Sequence, residues 1–420
     1  MTLMRFLALP VKEGDAFYLQ RGDFHILVDG GRGDDVVRLL RQHCPEVTKL
    51  NIVACTHNDS DHTEGIICLL KDQRFRIDQL ILPATWLDVV EIFKGKELLC
   101  LDEIRDQLWK ILCDQKCRYF DVRTLVHEVV STFGKNRENF CNVDYENDDS
   151  DDLNEPDDSQ SCVAVDYIDN ELFFIKEGLE YISGNTHHFN EDFAGCDIVR
   201  SQIYQKLLCK ILKYARNIFE IIDLVNGRRR AGERIQIKYL RRIDNCTIDD
   251  ENADKNLVPV NAKVAKIGKG ISVGYALYTL CLTIENRMSL AFWSPETDEC
   301  PGVLFCGDGS FRLNGKQPQR QIICTTPHHG SKSDLNVKMY QEVNTWAKKE
   351  VIWVRSDSVG RRVHENKYRP CLAYIKQENR FCTRCNTTNS SYQEQVVEFL
   401  SEGTNWVVPG KNIPCDCIAR

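Results

Sequence analysis

The first 85 residues are a succession of short apolar runs broken by Gly, Asp and charged residues. Residues 6–11, 16–20 and 24–29 read as strands separated by turns, the last ending in Gly30-Gly31. Asp34 stands at a helix N-cap position ahead of Val36, Val37, Leu39 and Leu40, which predicts a helix through Arg41. Residues 50–55 form a run apolar enough for a buried strand; a helix is predicted from Glu64 and another strand at 79–82. Strand, helix, strand at this spacing implies an α/β layered fold.

Residues 84–123 read as helical, with Leu98, Leu99, Leu101, Ile104, Leu108 and Leu112 at three- and four-residue steps. Short strands are expected at 163–168 and 171–175. The clearest helical stripe lies in 196–225: Ile203, Leu207, Leu208, Ile211, Leu212, Ala215, Ile218, Phe219 and Ile222. Strand-like runs follow at 275–284, 289–293 and 303–306. The last part alternates again, with helices near 337–347 and 371–377 and strands at 351–355, 396–400 and 406–408. No internal repeat of fixed period is visible.

With 420 residues, 42% apolar and 28% charged, the chain suits a globular protein with a real core, expected as one domain over 1–420. No apolar run approaches bilayer length, and the N-terminus lacks a signal-peptide core, so no membrane partner and a cytoplasmic location are expected. In that setting the 20 cysteines, many in apolar runs such as Cys55, Cys68, Cys281 and Cys324, read as reduced core residues. Cys382/Cys385 and Cys415/Cys417 leave a structural zinc open against unrelated thiols, the second spacing not being a standard zinc pairing.

The net charge of −8 is unevenly spread. Residues 142–160 are crowded with Asp, Glu and Asn, which predicts a disordered acidic loop. The segment 190–245 is basic and reads as a helical insertion, carrying Lys206, Lys210, Lys213, Arg216, Arg228, Arg229, Arg230, Arg234, Lys238, Arg241 and Arg242.

Three motifs carry candidate chemistry, each after an apolar run. The first is His57, Asp59, Asp61 and His62, which puts four potential metal ligands within six residues. Ligands at this spacing cannot share one helix face, but on a tight loop after a strand they can converge on two ions. The second is Gly307-Asp308-Gly309, where a carboxylate at a strand end can bridge two metals; alone it is also an ordinary turn. The third is Pro327-His328-His329-Gly330-Ser331-Lys332-Ser333. It pairs two histidines with a permissive glycine and with Ser331 and Lys332 as donors for an anion.

The order H-x-D-x-D-H, Gly-Asp, Pro-His-His-Gly-Ser resembles the metallo-β-lactamase fold superfamily. Within it, the chain is most similar to the hydrolase domain of bacterial DNA-uptake competence proteins, which carries Asp where lactamases proper have a second His, as Asp59 does here. Gly14-Asp15-Ala16-Phe17, residues 26–31 with their Asp29-Gly30-Gly31 turn, Asn286-Arg287-Met288-Ser289-Leu290, Ser358-Val359-Gly360 and 366–370 add to the resemblance. The likeness covers residues 1–85 and 275–410. Where relatives have a late His-Pro, this chain has Arg369-Pro370. His364 lies nearby but reads as a surface residue, and His187-His188, the one mid-chain candidate, reads as loop. The segment 190–245 lies outside the family core.

The resemblance implies a four-layer αββα sandwich and two divalent metal ions, Zn or Mn. It implies His57, Asp59 and Asp308 at one metal and Asp61, His62 and Asp308 at the other, with His328 or His329 completing the shell. Asp61 would orient the attacking water and accept its proton, with His329 and Lys332 also in the catalytic group, and Ser331 and Lys332 would hold a phosphate oxygen.

The leading expectation is a phosphodiesterase or nuclease acting on nucleic acid or a nucleotide, with the basic segment tracking a phosphate backbone. The resemblance also admits a role in bacterial defence; with no membrane channel in these 420 residues, DNA uptake is not the expected role. A hydrolase of a non-phosphate ester, lactone or thioester is the alternative within the enzyme class. From a different class comes an inactive metal-binding scaffold for a partner protein or a second copy of the chain.

Overall fold

A computed structural model describes residues 4–93, 198–243, 247–248, 256–265, 278, 280–281, 286, 288–315, 317–330, 334–356, 375–383 and 395–409. The features expected at 94–123, 142–160, 163–168, 171–175, His187, His188, Ser331, Lys332, His364, Arg369, Cys385, Cys415 and Cys417 fall outside the described residues. The chain divides into two compact units, where the sequence reading set one domain: Met1–Pro83, Gly232–Ala265 and Asn286–Arg420 form the first, Ala84–Ala231 and Lys266–Glu285 the second.

The first unit holds two large mixed sheets. Strands β1 (Met4–Ala8), β2 (Phe17–Arg21) and β3 (Phe24–Val28) form an antiparallel meander, with Gly22 at positive φ opening the two-residue turn that joins β2 to β3. Helices α1 (Asp35–His43) and α2 (Ser60–Lys71) are the crossovers leading to β4 (Lys49–Ala54) and β5 (Arg76–Pro83), both parallel to β3. The chain then leaves for the second unit and returns as β6 (Gln236–Arg242), parallel to β5.

Strands β7 (Thr247–Ile248), β8 (Val258–Pro259), β9 (Ala262–Val264), β10 (Phe292–Ser294), β11 (Gly302–Phe305), β12 (Asn314–Gly315) and β13 (Ile322–Thr325) follow. Helix α3 (Thr85–Phe93) and helix α4 (Ile198–Arg230) belong to the second unit and pack on each other; helix α5 (Asp334–Trp346), β14 (Val351–Arg355), β15 (Arg380–Cys382), β16 (Val397–Glu402) and β17 (Asn405–Val407) complete the first. The sheet orders are β17-β16-β1-β2-β3-β4-β5-β6-β9 and β15-β14-β13-β11-β10-β8.

The two sheets share one core. Phe6, Phe17, Ile26, Ile52 and Phe399 from the nine-stranded sheet meet Phe292, Val303, Phe305, Ile323 and Val354 from the six-stranded one. Phe6 is fully buried, stacked on Phe17 at 6.0 Å and near Phe305 at 6.3 Å. Each such side chain contributes about 1.5–3 kcal/mol of burial. On its other face the six-stranded sheet packs Trp293, Leu304, Cys324 and Trp353 against Met339, Tyr340, Val343 and Trp346 of α5.

Some expectations are corrected. The insertion expected over 190–245 is helical only through Arg230; Gln236–Arg242 is a sheet strand. Its charges mask the strand, since only Leu240 is buried and the rest lie half-exposed on the flank of the sheet. In 275–284 the described residues Tyr278, Leu280 and Cys281 are helical, an apolar run being ambiguous between strand and buried helix. Helix α2 begins at Ser60, so Asp61 and His62 lie in its first turn and not on an open loop. The stripe of α4 is buried from Leu207 to Val225, while Lys206, Lys210 and Lys213 are exposed. The described cysteines are all unbridged, and no described helix is long and apolar enough to cross a membrane.

The first turn of α2 is held by direct backbone approach. Gly30 N–H donates to His62 O at 2.9 Å and Gly65 N–H to Gly31 O at 2.9 Å. A Cβ on Gly65 would fall 1.9 Å from the Gly30 carbonyl oxygen. Helix propensity favours alanine there by about 1 kcal/mol, but the contact is with backbone that cannot move aside. Gly65→Ala is expected to destabilise the protein by about 1–3 kcal/mol; an unchanged melting temperature would show that the approach is not needed.

Candidate metal centre

The parallel strands of both sheets end at one edge of the first unit, where α/β folds collect ligands. β3 delivers Asp29, β4 delivers Thr56 and His57, β11 delivers Asp308, and β13 delivers His328 and His329. The antiparallel strands start at the same edge, so Asp15 precedes β2, and Asn286 and Ser289 precede β10. Leu290 N–H donates to Thr56 O at 2.8 Å, tying the two sheets together at the site.

Asp308 is the hub. Its Oδ2 lies 3.7 Å from His57 Nε2, 3.7 Å from His328 Nε2 and 3.5 Å from His329 Nε2, and its Oδ1 lies 3.5 Å from His62 Nε2. Asp59 Oδ2 lies 3.8 Å from His57 Nε2 and Asp61 Oδ2 3.4 Å from His329 Nε2. These separations are long for hydrogen bonds. They match the edge of a ligand shell, since bonds of about 2.0–2.2 Å around a tetrahedral cation set ligand atoms about 3.3–3.6 Å apart. The Nε2 atoms of His57, His62 and His329 and Asp308 Oδ1 are buried without a hydrogen-bond partner.

Each of these imidazoles is fixed by its other nitrogen. His62 Nδ1 meets Asp29 Oδ2 at 2.8 Å, and His329 Nδ1 meets Asp15 Oδ1 at 3.0 Å. Thr56 Oγ1 donates to Asp29 Oδ2 at 2.8 Å and so accepts from His57 Nδ1 at 2.9 Å. With Nδ1 hydrogen-bonded in all three, the rings turn Nε2 inward, the arrangement that orients metal-binding histidines. Asp15, His62, Asp308 and His329 form the tightest group, their ligand atoms all within 4.8 Å of one another. These residues could hold a metal ion.

The structure thus brings together His57, Asp59, Asp61, His62, Asp308, His328 and His329. Of the histidine pair, His329 stands inside the group, while His328 lies at the rim with its side chain 39% exposed and 3.4 Å from Asn286 Nδ2. Asp15, Asp29, Thr56, Asn286 and Ser289 are contributors that sequence reasoning gave no role. Asn286 Nδ2 donates to Asp308 Oδ2 at 3.2 Å, and Ser289 Oγ accepts from Asp308 N–H at 2.9 Å. Their signal is a polar residue beside an apolar run, which is also how an ordinary turn reads.

The backbone is strained here. The described non-glycine residues at positive φ are Asp29, Asn286, His328 and His329, with φ of 58°, 58°, 48° and 50°, and every one belongs to this site. Asp59 occupies the N-cap of α2 but makes no side-chain cap bond, so its carboxylate is left to face His57.

Electrostatics follow from burial. Burial raises Asp308, but His329, His62, His328 and His57 outweigh it and hold the carboxyl well below its usual range. Burial also raises Asp61, and contact with His329 and the charges of His62 and His329 again win, keeping it ionised. Burial lowers His62, yet Asp29 and Asp308 lift it well above an ordinary histidine; Asp308 and Asp15 do the same to His329. His328, facing fewer carboxylates, is lowered by burial.

No protein-family model matches this chain, and no curated protein matches it. Its chemistry is therefore read from its own geometry.

Two outcomes follow. His62 and His329 have raised folded pKa values, so their stabilisation is full below the unfolded value of about 6.5 and is lost as pH rises through the raised values. Asp61 and Asp308 are depressed, so theirs is present above about 3.9 and is lost as pH falls through the depressed values. Metal-free protein should melt highest between these limits, and added Mn²⁺ or Zn²⁺ should raise the melting temperature more as pH climbs from 6 to 9; a metal shift independent of pH would contradict this. Asp29→Asn and Asp15→Asn should each weaken metal binding by roughly 10–100-fold, measured by calorimetric titration, and wild-type affinity in both would remove the orienting role.

Proposed function

We propose that this chain is a metal-dependent hydrolase of phosphodiesters, a phosphodiesterase or nuclease, working at a dinuclear site in a four-layer αββα sandwich of the metallo-β-lactamase type. One observation carries the reading. Three imidazoles, each tethered through Nδ1, turn buried and unpartnered Nε2 atoms toward a shared carboxylate whose two oxygens face different side chains. The double-sheet core, with α5 against one sheet and α1 and α2 as crossovers of the other, supports the layered architecture.

In this reading His57, Asp59 and Asp308 hold one ion, and Asp61, His62, His329 and Asp308 hold the other. Zn²⁺ or Mn²⁺ held there would supply Lewis-acid chemistry toward a phosphoryl oxygen and a water. The carboxylate share of the ligand set suits Mn²⁺ and the imidazole share suits Zn²⁺. Asp61 is ionised and its side chain is 31% exposed, so it can accept a hydrogen bond from the attacking water, orient it and pass a proton to solvent. Asn286 and Ser289 hold Asp308 in place. Ser331 and Lys332 remain the proposed donors to a phosphate oxygen. A nucleic acid or nucleotide is the substrate class that fits.

The test is hydrolysis of bis(p-nitrophenyl) phosphate, linear DNA and single-stranded RNA with added Mn²⁺ or Zn²⁺. Wild type should act only with metal, and Asp61→Ala and Asp308→Asn should lose roughly 10²–10⁴-fold in turnover. Stoichiometric metal binding with no hydrolysis of any of the three would overturn the phosphodiesterase reading.

A further inference from the structure

Beyond Asp308 the first unit carries a cleft of about 780 Å³, whose polar lining includes Arg242, Ser310, Arg312, Lys338, Gln341 and Glu342. It begins beside the metal centre, because Ser310 is two residues past Asp308 and two residues of chain span at most about 7 Å. Arg242, on β6, donates from its guanidinium to Ser310 O at 2.5 Å. Gly309 leaves room for this approach, since a Cβ there would lie 3.1 Å from the Arg242 guanidinium. Arg312 and Lys338 are exposed at the cleft. Among the described residues Glu342 is the one acid in its lining, and it accepts from Leu313 N–H at 3.0 Å. Three cations against one carboxylate make a positive strip in a chain whose net charge is −8. The apolar members, Phe311 and Met339, are 7% and 2% exposed, which leaves little apolar floor for an acyl group.

From this geometry we infer that the cleft seats the flanking phosphates of an oligonucleotide strand, so that the substrate is a polymer and not a single nucleotide. The inference rests on the phosphodiesterase reading and names its substrate class. The cations come from three elements, β6, the loop after β11 and α5, an arrangement suited to successive phosphates along a strand. Such contacts are sequence-independent and salt-sensitive.

The experiment measures binding of a labelled single strand of about 12 nucleotides to the full chain by fluorescence anisotropy, over roughly 50–200 mM salt. Wild type is compared with the double variant Arg312→Gln/Lys338→Gln, both sites being exposed. The variant should lose about tenfold or more in affinity, and the slope of log affinity on log salt should fall by about 1.4, about 0.7 per contact removed. Its turnover of bis(p-nitrophenyl) phosphate should be unchanged while KM for the oligonucleotide rises. Wild-type affinity and slope in the variant would overturn the cleft assignment, as would full displacement of the strand by equimolar AMP. If wild type hydrolyses nothing, the catalytic reading fails by itself, and the anisotropy still decides the cleft.

Discussion

Asp308 carries a negative charge into an interior where its side chain is 3% exposed, and the arrangement around it answers that cost. An isolated buried carboxylate is expensive enough to protonate unless opposite charge or donors reach it. Here four imidazoles and the Asn286 amide converge on it, while its own backbone N–H is held by Ser289 Oγ. Yet the imidazoles stop at 3.5–3.7 Å, too far to satisfy the oxygens and near enough to share a cation with them. The carboxylates Asp15 and Asp29 lie one step outward and hold the rings from behind. The result is a carboxylate ringed by imidazoles that carboxylates hold from behind, a cluster that could bind a metal ion.

Holding that pattern costs conformational energy. Left-handed backbone at a non-glycine residue costs about 1–2 kcal/mol, and Asp29, Asn286 and the consecutive His328 and His329 all adopt it. The frame that sustains it is the double-sheet core around Phe6, Phe17 and Phe305, together with close approaches at Gly14, Gly30 and Gly65 where a Cβ would strike backbone atoms. Strain sustained by a rigid core lets ligands stay in place before any metal arrives.

Much of the scaffold was legible. Runs at 24–29, 50–55, 303–306 and 351–355 are strands because apolar stretches ending in Gly or Asp have few other options, and the helix stripe from Leu207 onward is a helix because its period is helical. Gln236–Arg242 was not legible, since a strand on the flank of a sheet with one buried residue keeps its charges in solvent and carries no alternation. The run at 275–284 failed for the opposite reason, being apolar without a period that separates strand from buried helix.

By itself, the sequence determined the candidate ligand types and their order: His57, Asp59, Asp61 and His62, then Asp308, then His328 and His329. That is local information, because a ligand at a strand end must be written directly after an apolar run. Only the tertiary structure decided which nitrogen of each histidine faces the centre, that His329 stands inside it with His328 at the rim, and that Asp15, Asp29 and Thr56 set the rings. Asp15 reaches His329 across 314 positions of chain. Such a contact depends on the order and register of strands in two packed sheets, and no local pattern of hydrophobic and polar residues encodes it.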